Sequence, residues 1–412
     1  MATDNEQNLT DYYANAAGGG LRFETAPFRR LQFGVSGFYI FNIGSSDLSQ
    51  VDFLSGQTNR YEIGLFDIEN PRNKKDLDRL EELYLRYHHK QLKITFGRQL
   101  INSPFINLQD GRMRPTGVEG LWIEASPHKK LKLEGGILYA ISPRSTTRWY
   151  YVGESIGVYQ GGVSESGTKS KYGGNTESNY VINTGIQYQP NNQLQLKAWN
   201  LFVDNIFNTT LLQADYKYPL NNKTALLIAA QNITQSAIGN GGNIDPALAY
   251  ISKQSTAFTY GARIGIKQAK FEINANYNRI TASSRYLMPR EWGRDPFFTF
   301  MPRERNEGMG DVHAFVLKSN AAFYQSSLKV GLSLGHFKTP HVSNTRLNKY
   351  GLPSYLQVNA DLRYSFDGFF KGLDVQFMPV LKIRTGDDLQ KKRFVHNKNN
   401  MVLYNLVLNY HF

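Results

Sequence analysis

The sequence predicts an all-β protein, a transmembrane antiparallel β-barrel of 18 strands with short turns at one end and long loops at the other. Three observations predict it. Apolar and polar side chains alternate in segment after segment, tight turns alternate with long loops between the segments, and tyrosine and phenylalanine gather at segment ends.

The alternation is clearest in three places. Residues 356–366 put Leu356, Val358, Ala360, Leu362, Tyr364 and Phe366 on one side, with Gln357, Asn359, Asp361 and Arg363 on the other. Residues 258–267 set Phe258, Tyr260, Ala262, Ile264 and Ile266 against Thr259, Gly261, Arg263 and Lys267. The chain closes on Val402, Tyr404, Leu406, Leu408, Tyr410 and Phe412, interleaved with Asn405, Asn409 and His411. Period two belongs to a strand with one apolar face, and ~9–12 residues is what a tilted strand needs to cross hydrocarbon. Seventeen such segments fall near 16–26, 29–42, 79–90, 91–99, 117–126, 130–142, 178–190, 193–204, 209–219, 223–233, 255–267, 270–281, 311–324, 326–337, 354–366, 373–385 and 400–412. Residues 77–88 also fit a helix, with Leu77, Leu80, Leu83, Tyr84 and Tyr87 on one face.

Turns such as PNNQ (190–193) and PLNNK (219–223) alternate with Gly-, Asn- and Ser-rich stretches at 143–177, 234–254 and 282–310. Aromatic pairs mark segment ends: Tyr180 and Tyr188, Tyr216 and Tyr218, Tyr364 and Phe366, Tyr410 and Phe412. A water-soluble sandwich has no reason to place rings there, whereas a lipid-facing band is flanked by such girdles. Single-chain bacterial barrels have even strand numbers. The expectation is one domain over 1–412, its first strand and signal peptide upstream of residue 1, in preference to a further strand at RYEIGLFDI (60–68). An alternating final strand ending in Phe412 fits recognition by the barrel assembly machinery.

Composition narrows the function. The chain carries 47 Lys and Arg against 34 Asp and Glu, a formal charge of +13, so an anionic partner is expected. The absence of cysteine excludes disulfides and thiolate metal sites. The longest purely aliphatic run, Ala225 to Ala230, is far short of the ~20 residues of a membrane helix. Basic residues spread over many segments, unlike the single patch of a nucleic-acid binder.

Positions opposite the apolar parity face the lumen and carry the function. There Lys93, Lys132, Lys197, Lys217, Arg263, Lys267, Lys329, Arg363, Lys382 and Arg384 outnumber Glu124, Glu134, Asp215, Glu272, Asp361 and Asp374. A wet, net-basic wall concentrates anions; the plainer reading is that these groups pair with one another as a lining. Two loops add arginines, whose planar fork suits carboxylates. Residues 102–117 carry Asp110, Arg112 and Arg114, and are expected to fold inward as an eyelet. Residues 288–311 carry Arg290, Arg294, Arg303 and Arg305, and suit either an inward eyelet or an outer surface that bridges lipopolysaccharide.

The run LKITFGRQLINSPFINLQDGRMRPTGVEGLWIE (92–124) resembles the strand and constriction-loop region of OprD-type outer-membrane porins. Residues 192–232 resemble that family's central hairpins, and 18–38 an early hairpin. The resemblance implies an 18-stranded barrel in the bacterial outer membrane, narrowed by loops and lined by a basic ladder, that passes small water-soluble nutrients, often carboxylates. Arg112 matches the family's constriction-loop arginine. The expected function is passive, selective diffusion of anionic solutes through a monomer or loose oligomer, with lipid and lipopolysaccharide as surroundings and no cofactor, metal or catalytic residue.

Two rivals remain. A barrel hydrolase would need a catalytic group; GESIG (153–157) matches the nucleophile-elbow pattern but sits in a Gly- and Tyr-rich loop. His88 and His89 are adjacent and would face opposite sides of a strand, which defeats shared metal ligation. A fatty-acid-type channel would want an apolar lumen, against the inward Asn, Gln, Lys and Arg. A scaffold subunit of a surface complex is a further alternative.

Overall fold

In the computed structural model, residues 2–4, 9–108, 114–159, 161–386 and 391–412 are described. They form one antiparallel sheet. Its first strands are β1 (Ala2–Asp4), β2 (Ala14–Glu24), β3 (Leu31–Ser45), β4 (Leu77–His89), β5 (Leu92–Gln99), β6 (Gly117–His128) and β7 (Leu131–Ser142). After a two-residue strand β8 (Tyr150–Tyr151) come β9 (Val181–Tyr188), β10 (Leu194–Val203), β11 (Phe207–Pro219), β12 (Thr224–Ala237), β13 (Thr256–Gln268) and β14 (Phe271–Ile280). The last are β15 (Val312–Phe323), β16 (Leu328–Lys338), β17 (Tyr355–Ser365), β18 (Leu373–Arg384) and β19 (Met401–Tyr410).

All seventeen segments of the sequence reading are strands. Residues 77–88 are strand and not helix, because Leu77, Arg79, Leu83 and Tyr87 sit in ladders with both β3 and β5 or with β3 alone. Residues 60–68 hold only a short helical turn, Ile63–Leu65. The eighteenth position is taken by β1, whose Ala2–Asp4 pair with Leu403–Met401 of β19. No helix among the described residues is long and apolar enough to cross a membrane. The hydrogen bonds of the ladder satisfy the backbone of the spanning strands, the condition for crossing hydrocarbon.

The faces follow the sequence parity. On β13, Phe258, Tyr260, Ile264 and Ile266 are exposed, while Ala257, Thr259, Gly261 and Gly265 between them are buried. On β19, Leu406 and Leu408 are 64% and 62% exposed, a state that water would penalise and lipid rewards. Tyr188, Tyr218, Tyr364 and Tyr410 are exposed on the outside near strand ends, as a girdle requires.

The inward rows change character along each strand. On β11 the row runs Phe207, Thr209, Leu211, Gln213, Asp215, Lys217, and on β10 it runs Val203, Leu201, Trp199, Lys197, Gln195. The apolar end adjoins the long loops and the charged end adjoins the tight turns. A large buried apolar cluster fills the loop end of the lumen, joining wall residues Trp122, Trp199 and Ile233 to loop residues Phe105, Trp292, Phe297 and Met301. Loops thus bring their own apolar side chains into that end of the interior, which packs part of a lumen whose wall the sequence reading takes as wet.

Candidate substrate passage

The loop 281–311 is the largest part of that packing. Leu287, Met288, Trp292, Phe297 and Phe298 are buried, and the backbone between them needs partners away from water. The wall supplies them as side-chain amides and one ammonium. Gln235 donates to the carbonyl of Leu287 at 2.6 Å and accepts from its N–H at 2.9 Å. Gln231 donates to the Pro296 carbonyl at 2.9 Å, and Gln357 to that of Pro302 at 2.8 Å. Lys318 donates to the carbonyls of Phe298 and Phe300 at 2.8 and 2.9 Å. Several inward Asn and Gln positions that the sequence suggests as a water-wet lining are thus anchor points for a loop that crosses the lumen. The loop also meets the segments on either side of the first loop: Asn107 donates its N–H to the Trp292 carbonyl at 3.3 Å, and Thr116 donates to the Glu291 carbonyl at 2.8 Å. Of the two readings for Arg290, Arg303 and Arg305, the inward one holds.

At the far wall the loop delivers a carboxylate into a group of cations. Glu304 Oε1 accepts from Arg60 at 2.9 Å and Oε2 from Lys382 at 2.9 Å, with Arg290 at 4.0 Å. Lys382, fully buried on β18, spends its other donors on Tyr61 Oη at 2.8 Å and the Arg303 carbonyl at 3.1 Å. Burial alone would raise the Glu304 carboxyl, but Arg60, Lys382 and Arg290 outweigh it and hold it down at about 2. Arg290 lies over the Tyr350 ring at 3.8 Å and pairs with the buried Glu307. Gly308 has φ +81 and a Cβ there would meet the Tyr350 ring at 2.3 Å, so this turn takes glycine for two reasons.

Beside this cluster opens a cavity of about 1070 Å³. Its lining includes Arg60, Arg144, Arg290, Arg303 and Arg305, and from the outer loops Lys169, Lys349, Lys391, Arg393 and Lys398. Among the described residues the only acid on that lining is Glu304. Tyr61, Tyr159, Phe300, Tyr350 and Phe394 share it, so the cavity offers cations and ring faces together. Burial pulls the Arg305 guanidinium down to about 10, helped by Arg144, and it stays charged at neutral pH.

The tight-turn end of the lumen is built differently. A smaller pocket of about 380 Å³ is lined by Lys267, Lys270, Lys329 and Arg363 with Glu272 and Asp361. Lys267 pairs with Glu272 at 2.9 Å and Arg363 with Asp361 at 2.8 Å. Further round the wall Lys93 pairs with Glu124 at 2.5 Å, Lys132 with Glu134 at 2.8 Å and Lys197 with Asp215 at 3.1 Å. For these five the plainer sequence reading, a paired lining, describes the structure. Arg263 lies between the two regions, bonded to Asn276 at 2.9 Å and under the Phe298 ring at 4.4 Å. Arg384 tops β18, its N–H donating to Asn400 at 2.9 Å. Arg303 donates to Asn405 at 2.7 Å and borders the cavity.

Arg114 is 2% exposed, close to Arg79 and Glu81, and does not face an open passage. Asp110 and Arg112 lie outside the described residues. Ser155 of GESIG is buried, donating to the Val152 carbonyl at 2.7 Å and accepting from Trp292 Nε1 at 2.9 Å, so its hydroxyl serves packing. Sequence reasoning missed Arg60, Tyr61, Arg144, Glu304 and Lys349. Glu304 had a signal in PRER (302–305), an acid flanked by arginines; the others stand in loops without a period to read.

A closed antiparallel sheet with a lipid-facing exterior, a loop-narrowed lumen and a cation-lined cavity defines an outer-membrane channel. The sequence matches the family described as outer membrane porin, OprD family, over residues 54–290, and the chain belongs to that family. It is similar in fold to OccAB4 of Acinetobacter baumannii, at TM-score 0.75 and 15% identity over 99% of this chain and 94% of that one. It is likewise similar to OpdK of Pseudomonas aeruginosa, solved with vanillate, at 0.71 and 13% over 97% and 95%. OccD3 (OpdP) of Pseudomonas aeruginosa matches at 0.71 and 13% over 99% and 88%. No curated protein sequence matches the chain. Porins of this family reside in the bacterial outer membrane and carry small solutes.

Proposed function

We propose that this porin passes small anionic solutes, carboxylates foremost, by passive diffusion through the cavity beside Glu304. The observation that carries the reading is the imbalance of that lining, ten Lys and Arg side chains against one acid among the described residues. Confined between low-dielectric walls, such an imbalance raises the local concentration of anions and speeds their entry. The arginine forks bind carboxylate oxygens in pairs, and the ring faces accept the flat apolar part of an aromatic or unsaturated acid. Vanillate, which accompanies OpdK, is a carboxylate of that shape and supports the class.

The solute then descends past Arg263 and Phe298 towards Lys267, Lys329 and Arg363, with Lys382 and Arg384 serving the wall beside Glu304. Asp110 and Arg112 contribute through the first loop, and Arg112→Ala weakens anion preference. Outer-membrane lipid and lipopolysaccharide contact the exterior, and the assembly machinery recognises the alternating strand β19. Planar bilayers test the reading directly: a potassium chloride gradient yields a reversal potential on the anion side, and liposomes take up small carboxylates faster than neutral sugars of equal size. Clear cation selectivity would sink it.

A further inference from the structure

Glu304 occupies a site that is chemically complete for a carboxylate. One oxygen accepts from Arg60 at 2.9 Å and from the Arg305 N–H at 3.0 Å, and the other accepts from Lys382 at 2.9 Å. That is how a protein binds a free carboxylic acid: a guanidinium, a backbone N–H and an ammonium converging on two oxygens. The carboxylate belongs to a loop, while Lys382 belongs to the wall and Arg60 to a different loop. Glu304 also borders the cavity of about 1070 Å³, as do Arg60, Tyr61, Arg303 and Arg305, so a solute there reaches Arg60 directly and reaches the fully buried Lys382, which is off that lining, as Glu304 gives way.

We infer that Glu304 is a built-in ligand of a carboxylate-binding subsite, and that a permeating carboxylate passes by exchanging with it on Arg60 and Lys382. The inference rests on the proposed anion passage and adds to it the residue that sets how tightly the passage holds its cargo. Conduction needs a site that binds well enough to attract and weakly enough to release. Two cations in so dry a place would hold a carboxylate too long, and their charges would stand uncompensated whenever the site emptied. A tethered competitor cures both, because it refills the site at a high effective concentration as soon as the solute moves on. A merely structural Glu304 would hold the loop without distinguishing acetate from chloride. An exchanging one does distinguish them, since only a carboxylate matches the paired donors.

The experiment uses the full-length protein in planar bilayers, with acetate and chloride as the probes. Glu304→Gln keeps the side-chain shape and removes its charge. The acetate concentration that half-saturates conductance is expected to fall about tenfold, with a much smaller change for chloride. Glu304→Ala leaves a carboxylate-sized gap, and added acetate, not equimolar chloride, restores the wild-type open-channel noise. Equal responses to the two anions, or an unchanged half-saturation in Glu304→Gln, overturn the inference while leaving anion preference in place. A cation-selective wild type instead overturns the proposed function itself. Should neither variant reach the folded, heat-modifiable form on a gel, Glu304→Asp decides. It retains the charge but has one methylene less reach, so its half-saturation for acetate falls below the wild type's, and an identical value counts against the exchange.

Discussion

The loop end and the turn end of the lumen hold charges in opposite ways. At the turn end a cation answers an acid on a neighbouring strand or the same strand, as Lys267 answers Glu272 and Arg363 answers Asp361, with side chains that remain substantially wet. At the loop end Lys382, Glu304, Arg290 and Glu307 are almost wholly buried; Glu304 meets Lys382 of β18 and Arg60 of a distant loop, while Arg290 and Glu307 pair within the loop 281–311. Solvent screens the first kind, and each exposed pair contributes little. The second kind is costly to empty by half, since an unpaired buried charge has no water to turn to. The ladder thus builds the cylinder, and the buried ions decide whether the loop stays across it.

The largest expected effect is at Arg290. Its replacement by methionine leaves Glu307, whose side chain is fully buried, without its ion pair and removes the cation over the Tyr350 ring. Breaking a buried pair from one side costs ~3–5 kcal/mol, charged here to the seating of the loop and not to the strands. Limited proteolysis of the folded protein in detergent is expected to cut within 281–311 in Arg290→Met and not in the wild type, while heat-modifiability of the barrel persists. Protection equal to the wild type's would erase the contrast between the two ends.

Next is the wall anchor Gln357, which donates to the Pro302 carbonyl at 2.8 Å and to Asn359 Oδ1 at 2.9 Å. Gln357→Leu strands the buried Asn359 Oδ1 and leaves the Pro302 carbonyl only its 3.2 Å bond from Asn359, at about 1–3 kcal/mol. Conductance noise is expected to rise, with the mean selectivity preserved.

Acid sharpens the same comparison. The Glu304 carboxyl sits at about 2 against an ordinary 4.5. Its folded value is depressed, so its contribution is complete above about 4.5 and fades as pH falls towards 2. Open-channel noise is therefore expected to grow between pH 4.5 and 2 in the wild type. Glu304→Gln, having nothing to titrate there, loses that limb of the profile.

How much of this was legible follows from the same division. The strands were, because a sheet between lipid and lumen imposes period two, and a one-residue slip would turn every side chain to the wrong phase. Leu406, Leu408, Ile264 and Ile266 could hardly be read otherwise. The lumen was half legible. Parity places Lys382 and Gln357 inward, but it is blind to what stands opposite them, and both turned out to hold a loop. Loops have no repeat, and the meeting of Arg60 with Glu304 spans most of the chain. Only the local oddity of PRER (302–305), a glutamate in a run of arginines, hinted that a carboxylate was wanted there.

The smallest effect is expected where the sequence reading saw most. Lys267→Gln removes a wall cation whose side chain is half exposed, paired with Glu272 at 2.9 Å. Water takes over the abandoned carboxylate, so thermal stability should move by less than ~1 kcal/mol. The reversal potential should shift by a few millivolts at most towards cations, on the order expected when a screened charge is lost, and high salt should abolish even that. An effect as large as that of Arg290→Met would mean that Lys267 and its neighbours Lys329 and Arg363 act together as a binding site, and that the turn end, not the loop end, governs which solutes pass.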